Sequence, residues 1–226
     1  MAVGYNPSIV SDGLVFYIDA ANRRSYSGSG TSTNSLVSGI GGTLVNGVGF
    51  GTTNNGYFIF DGTDDYIDFG SSSSLKLTDN FTLSAWVKSD VYGDRAILGN
   101  FGPSSNYSGF NFNIQPSNKF AFLTGSHPSY AYLYADNTFS LNIWYYITGL
   151  RRSGTNYLYI NGIVQTGTNT QVVATSAQNF YFGKWYSDLT DFYHSGQISQ
   201  VKLYNRALSQ QEILQNFNAT RFRYGI

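Results

Sequence analysis

The stretch of this chain that most restricts its fold runs from Trp144 to Gln165. It contains three short strand-like segments, separated by a polar turn at residues 152–155 and by Asn161-Gly162. An Asn-Gly pair between alternating apolar residues favours a type I′ turn, which needs positive φ at both central positions. The centre of the protein is therefore predicted to be an antiparallel meander rich in aromatic residues.

Composition supports a β protein and excludes several classes of partner. Of 226 residues, 17% are aromatic and 12% are charged, and Glu212 is the only glutamate. Lysine and arginine balance the acidic residues at 13 each and are scattered, so no nucleic-acid or acidic-membrane binding surface is expected. There is no cysteine, and no apolar run approaches the ~20 residues that span a bilayer. The first residues also lack a secretory signal pattern, so we expect synthesis in the cytoplasm without membrane insertion.

About a dozen short strands with turn signals between them predict an antiparallel sandwich. Residues 81–88 alternate, with Phe81, Leu83, Ala85 and Val87 on the predicted core side. Two further hairpins are predicted, one joining 57–60 to 66–69 around Asp61-Gly62 and one joining 110–115 to 120–123. Residues 25–56 read as surface loops around one or two edge strands.

One helix is expected near the end of the chain, over 210–219. Ser209 and Glu212 form a capping box, and Leu208 with Ile213 forms a hydrophobic staple. The helix is expected to pack through Ile213, Leu214 and Phe217. We predict a single domain over 1–226, with a lead-in arm at 1–10 and a solvated tail at 220–226.

Several blocks of the sequence resemble laminin-G-like domains of the concanavalin A-like jelly rolls. The first is Leu-Tyr-Ile-Asn-Gly of the central hairpin, at 158–162. The other blocks follow the order seen in laminin-G-like and pentraxin-like domains: GLVFYIDA at 13–20, FDGTDDYI at 60–67, FTLSAWVK at 81–88 and GQISQVKLYNRALS at 196–209. The resemblance implies an all-β, antiparallel jelly-roll β-sandwich with one short helix towards the C-terminus.

The opening and the ending of the chain also resemble laminin-G-like proteins of tailed-bacteriophage virions. The relevant segments are GLVFYIDAANRRSYSGSGT and ALSQQEILQNFNATRFRYGI. This resemblance implies a capsid decoration or fibre component on the virion surface, with other virion proteins as partners. A homo-oligomer and attachment to cell-surface glycans are further expectations.

The sequence argues against catalysis. Some concanavalin A-like folds resemble retaining glucanases, which need two carboxylates about 5 Å apart, usually alternating on one strand. Glu212 is used as a helix cap, and no strand carries carboxylates at such spacing. His127 and His194 are expected to be exposed loop histidines, since neither lies in a nucleophile motif.

Calcium is the one cofactor that the resemblance implies. It takes six to eight oxygen ligands, and relatives of this class often bind it. Asp61, Asp64 and Asp65 are the candidate ligands, with the Asn106 loop as another. Relatives commonly carry an acidic pair after the isoleucine of the last strand, where this chain has Ser199-Gln200. We therefore expect no cofactor, and calcium is the alternative. Without calcium, the aspartates are expected to build the 61–65 turn.

Aromatic and amide side chains are the candidate binding groups. Aromatic rings stack on the C–H faces of sugars, and side-chain amides both donate and accept hydrogen bonds. The loop from Lys184 to Asp188 is favoured because an adjacent Trp and Tyr in a polar loop cannot both be buried. The candidates for glycan or partner contact are Trp185, Tyr186, Tyr107, Asn106, Tyr130, Tyr132, Asn111 and Asn113. The alternative is that these aromatics bury an oligomer or capsid contact, or simply cover the sandwich.

The sequence thus predicts a non-enzymatic virion structural protein that docks on the particle surface, with weak glycan binding through its loops. A free lectin is the first alternative. A degenerate glucanase-like hydrolase is the second.

Overall fold

The structure is a computed structural model that describes residues 8–186 and 192–226. In this part of the chain, sixteen strands form two antiparallel sheets of eight strands each. Sheet A contains β1 Leu14–Asp19, β4 Gly49–Gly51, β5 Tyr57–Asp61, β7 Phe81–Ser89, β12 Tyr145–Arg152, β13 Thr155–Ile160, β14 Ile163–Asn169 and β16 Ser195–Tyr204. Sheet B contains β2 Ser32–Asn34, β3 Gly41–Val45, β6 Tyr66–Asp68, β8 Arg95–Gly99, β9 Ser108–Ile114, β10 Phe120–Ser126, β11 Ser129–Tyr134 and β15 Tyr181–Phe182.

The order of strands in each sheet shows how the sandwich is connected. Sheet A runs β14-β13-β12-β7-β16-β5-β4, and β1 also pairs with β16. Sheet B runs β11-β10-β9-β8-β15-β6-β3-β2. The long strand β16, near the end of the chain, therefore pairs with β1, β5 and β7, which all lie within the first 90 residues.

The central meander is confirmed in its turns and its register. Asn161 and Gly162 have φ of 52° and 79°, as a type I′ turn requires. They connect β13 to β14, with Ile160 opposite Ile163. The turn at 152–155 connects β12 to β13 in the same way. The predicted hairpin of β9 and β10 is also confirmed.

The core between the two sheets is made largely of phenylalanine rings. The predicted set Phe81, Leu83, Ala85 and Val87 is fully buried in it. Ring pairs such as Phe81 with Phe110, 4.6 Å between centroids, link strands of opposite sheets. Fully burying one such side chain stabilises the fold by about 1.5–3 kcal/mol, so this core is the main source of stability.

The predicted hairpin around Asp61-Gly62 is wrong. β5 lies in sheet A beside β16, whereas β6 lies in sheet B beside β15, so residues 61–65 carry the chain from one sheet to the other. Phe58 and Phe60 therefore enter the core from one side and Ile67 from the opposite side. Residues 25–56 also hold three strands where one or two were expected.

A helix and the C-terminal segment cover the outer face of sheet A. Helix α1 spans Gln210–Asn218, and both hydrogen bonds of the capping box between Ser209 and Glu212 are present. Ile213 and Phe217 are buried as predicted, but Leu214 is 44% exposed, so its predicted packing role is wrong. The outward-facing Trp86 is covered by Phe217 and by Tyr224, whose ring centroid lies 4.0 Å away.

The predicted solvated tail is largely packed against the sandwich. Residues Arg221–Tyr224 form a short 3-10 helix. Arg223 pairs with the Asp19 carboxylate at 3.0 Å, with both side chains about nine-tenths buried. Arg221 remains exposed. Tyr224 and Arg223 thus cover Trp86 and Asp19 of sheet A, which lie far from them in the sequence.

A lysine is buried in the same layer. Lys202 on β16 is fully buried, and its ammonium donates a hydrogen bond to Gln200 Oε1 at 3.0 Å. Gln200 in turn donates to Asp19 at 2.8 Å. Burial lowers the pKa of Lys202 to about 7 because a charged ammonium loses its hydration there.

We predict that Glu212→Gln destabilises the fold in a pH-dependent way. The Arg206 guanidinium first, and then Ser209, hold the pKa of Glu212 at about 2. The carboxylate is partly exposed, so solvent screening limits the loss to about 1 kcal/mol at pH 7. A depressed acidic pKa stabilises the native state above the usual value of 4.5, and this contribution is lost as pH falls through about 2.

Denaturant unfolding at pH 7 and near pH 2 measures this difference, with the exposed helix residue Gln211→Ala as the control. Wild type and Glu212→Gln should differ at pH 7 and converge near pH 2. An equal difference at both pH values would contradict the electrostatic explanation.

Candidate functional site

A row of amide side chains lies on the outer face of sheet B. Phe110, Phe112 and Ile114 of β9 point into the core, so Asn111 and Asn113, which alternate with them, point away from it. Asn111 and Asn113 are nevertheless only 1% and 0% exposed, because neighbouring side chains enclose them. The amide row is thus positioned as the alternation predicts, but it is enclosed.

Tyrosine rings line the edge of the same face. Tyr130 and Tyr132 lie on β11, the last strand of the sheet, with ring centroids 5.8 Å apart. Tyr107, from the loop before β9, packs against Tyr130 at 4.5 Å. Tyr130 is 45% exposed, and Tyr107 and Tyr132 are half-buried. Residues far apart in the sequence therefore build one aromatic surface.

The loop that follows β15 brings Trp185 and Tyr186 to this surface. Trp185 and Tyr107 both pack against Phe101, with centroid distances of 6.3 and 6.2 Å. Burial raises the pKa of the Tyr186 phenol, and the nearby Tyr107 adds to the shift. Both Trp185 and Tyr186 are half-buried, and Ser187 and Asp188 of the predicted loop lie outside the described residues.

Asn106 lies beside this cluster in an exposed turn. Its backbone N–H donates to Pro103, and its carbonyl accepts from the Ser108 hydroxyl. Asn106 is exposed next to Tyr107 in the sequence. All eight predicted binding residues lie on or beside the same face of sheet B, but Asn113 is level with Tyr134, away from the end where Tyr107 and Tyr130 meet.

Four polar atoms in the cluster are buried without a partner among the described residues. They are Oδ1 of Asn111, both amide atoms of Asn113 and Nε1 of Trp185. Each buried unsatisfied polar group costs about 1–3 kcal/mol, and native proteins keep few of them. Trp185 Nε1 lies beside the ring cluster, whereas the atoms of Asn111 and Asn113 are spread along the enclosed amide row.

The three aspartates predicted as metal ligands do come together, but elsewhere. Oxygens of Asp61, Asp64 and Asp65 lie within 4.8 Å of one another in the turn between β5 and β6. Asp61 Oδ1 accepts hydrogen bonds from the N–H groups of Thr63 and Asp64, as a turn-building aspartate does. Asp65 is 4% exposed, and its Oδ1 has no partner in the described part of the chain. Oxygen ligands suit calcium, although three carboxylates fall short of its usual six to eight ligands.

The structure corrects the interpretation of one histidine. His127 is exposed, as predicted, at the edge of the ring cluster, 6.2 Å from Tyr107. His194 is fully buried against Phe60 instead of lying in an exposed loop. Burial lowers the pKa of His194 to about 4, so the imidazole is neutral at physiological pH.

Sequence reasoning missed three aromatic residues of this surface. Tyr134 is 43% exposed and continues the alternation of Tyr130 and Tyr132, so the i, i+2, i+4 pattern could have revealed it. Phe101 and Phe192 both contact Trp185. They gave no signal, because a single phenylalanine near a loop usually belongs to the core.

Comparison with known proteins identifies the family. A laminin G family model, described as the concanavalin A-like lectin/glucanases superfamily, matches residues 61–214. The chain therefore belongs to this superfamily. No curated protein matches the sequence.

Solved structures share the fold at low sequence identity. Trypanosoma rangeli sialidase in complex with sialic acid aligns with a TM-score of 0.73 at 16% identity, over 96% of this chain and 34% of the sialidase chain. The binding domain of Paraclostridial Mosquitocidal Protein 1 aligns at 0.72 and 16%, over 92% and 52% of the two chains. The binding domain of botulinum neurotoxin serotype G aligns at 0.66 and 19%, over 90% and 50%. The chain thus spans about a third to a half of the chains it resembles, and these likenesses show the fold.

Within the described residues, no helix is long and apolar enough to cross a bilayer.

We predict that calcium leaves the thermal stability of the protein unchanged. Asp61 and Asp65 already accept backbone hydrogen bonds in the turn, and these oxygens would have to be released to bind a cation. Thermal unfolding with millimolar calcium and with chelator should give the same Tm. A rise of several degrees in wild type that is lost in Asp64→Asn would show instead that the aspartates bind calcium.

Proposed function

We propose that this protein is a non-catalytic glycan-binding module whose ligand lies on the outer face of sheet B. The observation that carries the proposal is the meeting of partly exposed ring faces with buried amides that have no protein partner. Tyr130 and Tyr107 supply rings, and Asn111 and Asn113 supply the amides. Trp185 contributes both a ring and an N–H.

The chemistry of these groups fits a carbohydrate. A sugar ring has apolar C–H faces that stack on aromatic rings, and hydroxyls that both donate and accept hydrogen bonds. An amide side chain offers one acceptor oxygen and two donor hydrogens, so it can pair with hydroxyls in either sense. Trp185 Nε1 adds a donor beside the rings. Asn111 and Asn113 are enclosed, so they pair with a ligand only where the side chains that cover them move aside.

We also propose that the module does not hydrolyse its ligand. The only glutamate, Glu212, is held by Arg206 and Ser209 at the start of α1. The grouped aspartates lie in the β5–β6 turn, and β6 is three strands from β9 along sheet B. The carboxylate pair of a retaining glycosidase must instead flank the sugar.

The comparisons support binding without settling its target. Two of the similar structures are toxin binding domains, and a third is a sialidase in complex with sialic acid. The fold is thus used both by binding domains and by an enzyme. Within residues 8–186 and 192–226, no suitable carboxylate pair lies beside the ring cluster, and this is why we favour binding for this chain.

For biological context, we propose the surface of a tailed-bacteriophage particle, where the module would dock on other virion proteins. The opening and ending of the sequence support this, because they resemble those of virion laminin-G-like proteins. A free lectin is the alternative. Mass spectrometry of purified virions and of the surrounding lysate distinguishes them: we expect a fixed, high copy number in particles, and recovery only from the lysate would favour the lectin.

We predict that Trp185→Ala and Asn113→Leu weaken glycan binding by different routes. Loss of the Trp185 ring should raise Kd at least ten-fold, equal to about 1.4 kcal/mol. Asn113→Leu should also weaken binding, but its Tm should stay the same or rise because an unpaired buried amide is replaced by an apolar group of similar size.

A glycan array followed by isothermal titration calorimetry on the glycans that bind provides the measurement, with thermal unfolding of each variant. Phe222→Ala is the matched control, since this ring is 61% exposed and lies in the C-terminal segment. Unchanged binding by both site variants would show that glycans bind elsewhere. A large fall in the Tm of Asn113→Leu would show that the amide is structural.

A further inference from the structure

The tyrosines of β11 form a ladder that extends beyond the ring cluster. We use the name tyrosine ladder for Tyr130, Tyr132 and Tyr134. The planes of Tyr132 and Tyr134 lie within 24° of each other, with centroids 5.7 Å apart, so they form a nearly continuous strip. Alternate residues of a strand are about 6.6 Å apart, so the ladder is about 13 Å long, the length of roughly two to three linked pyranose units.

The ladder runs parallel to the amide row, with a row of smaller residues between them. The register of β11, β10 and β9 places Tyr132 level with Leu123 and Asn111. It also places Tyr134 level with Ala121 and Asn113. Two strand spacings separate the ladder from the amides by about 10 Å. These two residues of β10 and the two amides are at most 1% exposed, so this space is filled, and the partly exposed rings of the ladder form the accessible surface.

One end of the ladder needs a glycine on the neighbouring strand. The ring of Phe101 lies so close to Gly125 that an added Cβ would come within 2.6 Å of it. Gly125 is level with Tyr130, so Phe101 and Tyr130 meet over bare backbone. The ladder is thus bounded by aromatic rings at this end, and it continues along β11 towards Tyr134.

The charges beside the ladder favour an uncharged ligand. Burial and then the Asp94 carboxylate raise the pKa of Tyr132 to about 12, so its phenol keeps its proton. Arg95 follows Asp94 and donates to its backbone carbonyl, so one positive and one negative charge lie here together. A polyanion would need an excess of positive charge, and the chain as a whole has a net charge of zero.

We propose that the tyrosine ladder binds an extended, uncharged glycan chain of three or more sugar units, lying along β11. This proposal rests on the proposed glycan-binding function and adds to it the length, direction and charge of the ligand. A single terminal sugar would occupy only the ring cluster at Tyr107 and Tyr130. A chain reaches Tyr134 as well.

Calorimetric titration with defined oligosaccharides tests the proposal. The probes are the disaccharide and hexasaccharide of the cellulose, chitin and xylan series, with hexagalacturonate as the anionic probe. For a series that binds, we expect the hexasaccharide to bind at least ten-fold more tightly than the disaccharide. Tyr134→Ala should remove most of this gain, whereas Tyr134→Phe and the distant Phe222→Ala should keep it.

The outcomes separate this proposal from the function on which it rests. Equal affinity for short and long oligomers, with binding still lost in Trp185→Ala, would overturn the extended site and leave glycan binding in place. Tighter binding of hexagalacturonate would overturn the uncharged ligand. If no oligomer of these series binds and the glycan array is also blank, both proposals fail.

Discussion

The Asp19 carboxylate is the contact on which the closure of the sandwich depends. It accepts hydrogen bonds from Gln200 of β16 at 2.8 Å and from Tyr17 of β1 at 3.2 Å. It also pairs with Arg223 of the C-terminal segment, in an environment that is about nine-tenths buried. A buried ion pair stabilises little by itself, but removing one partner leaves an uncompensated charge, at a cost of roughly 3–5 kcal/mol. Asp19 therefore fixes how the C-terminal segment covers sheet A.

Local sequence patterns predicted most of the sandwich because its hairpins are determined locally. Asn161-Gly162 has few alternatives to a tight turn, and the alternation of Phe81 to Val87 directs one side of a strand into the core. Local patterns failed where contacts between residues far apart in the sequence determine the structure. Asp61-Gly62 looks like a hairpin turn, yet here the chain changes sheets. Tyr224 looks like part of a polar tail, yet it stacks on Trp86, a partner 138 positions earlier.

The residue types of the candidate site were predictable, but the position at which the fold brings them together was not. Trp185 and Tyr107 stood out because large rings in polar loops have few ways to be buried. That they share a neighbour in Phe101 depends on the pairing of β8 to β11, which no local pattern specifies. The enclosure of Asn113 could not be predicted either, since alternation indicates which way a side chain points but not which residues cover it. The burial of His194 was missed for the same reason.

The position of the chain ends affects how the module can be used. Val10 donates its N–H to Asn216 of α1, and Gln215 donates to the carbonyl of Ser8, so both ends of the described chain meet on the helix-covered side of sheet A. The ring cluster lies on the other sheet. A neighbour attached through either end would hold the ring cluster facing outward. In the proposed glycan binding, an array of copies mounted in this way would gain avidity, because after one copy binds, the others meet the surface at high effective concentration and weak single contacts suffice.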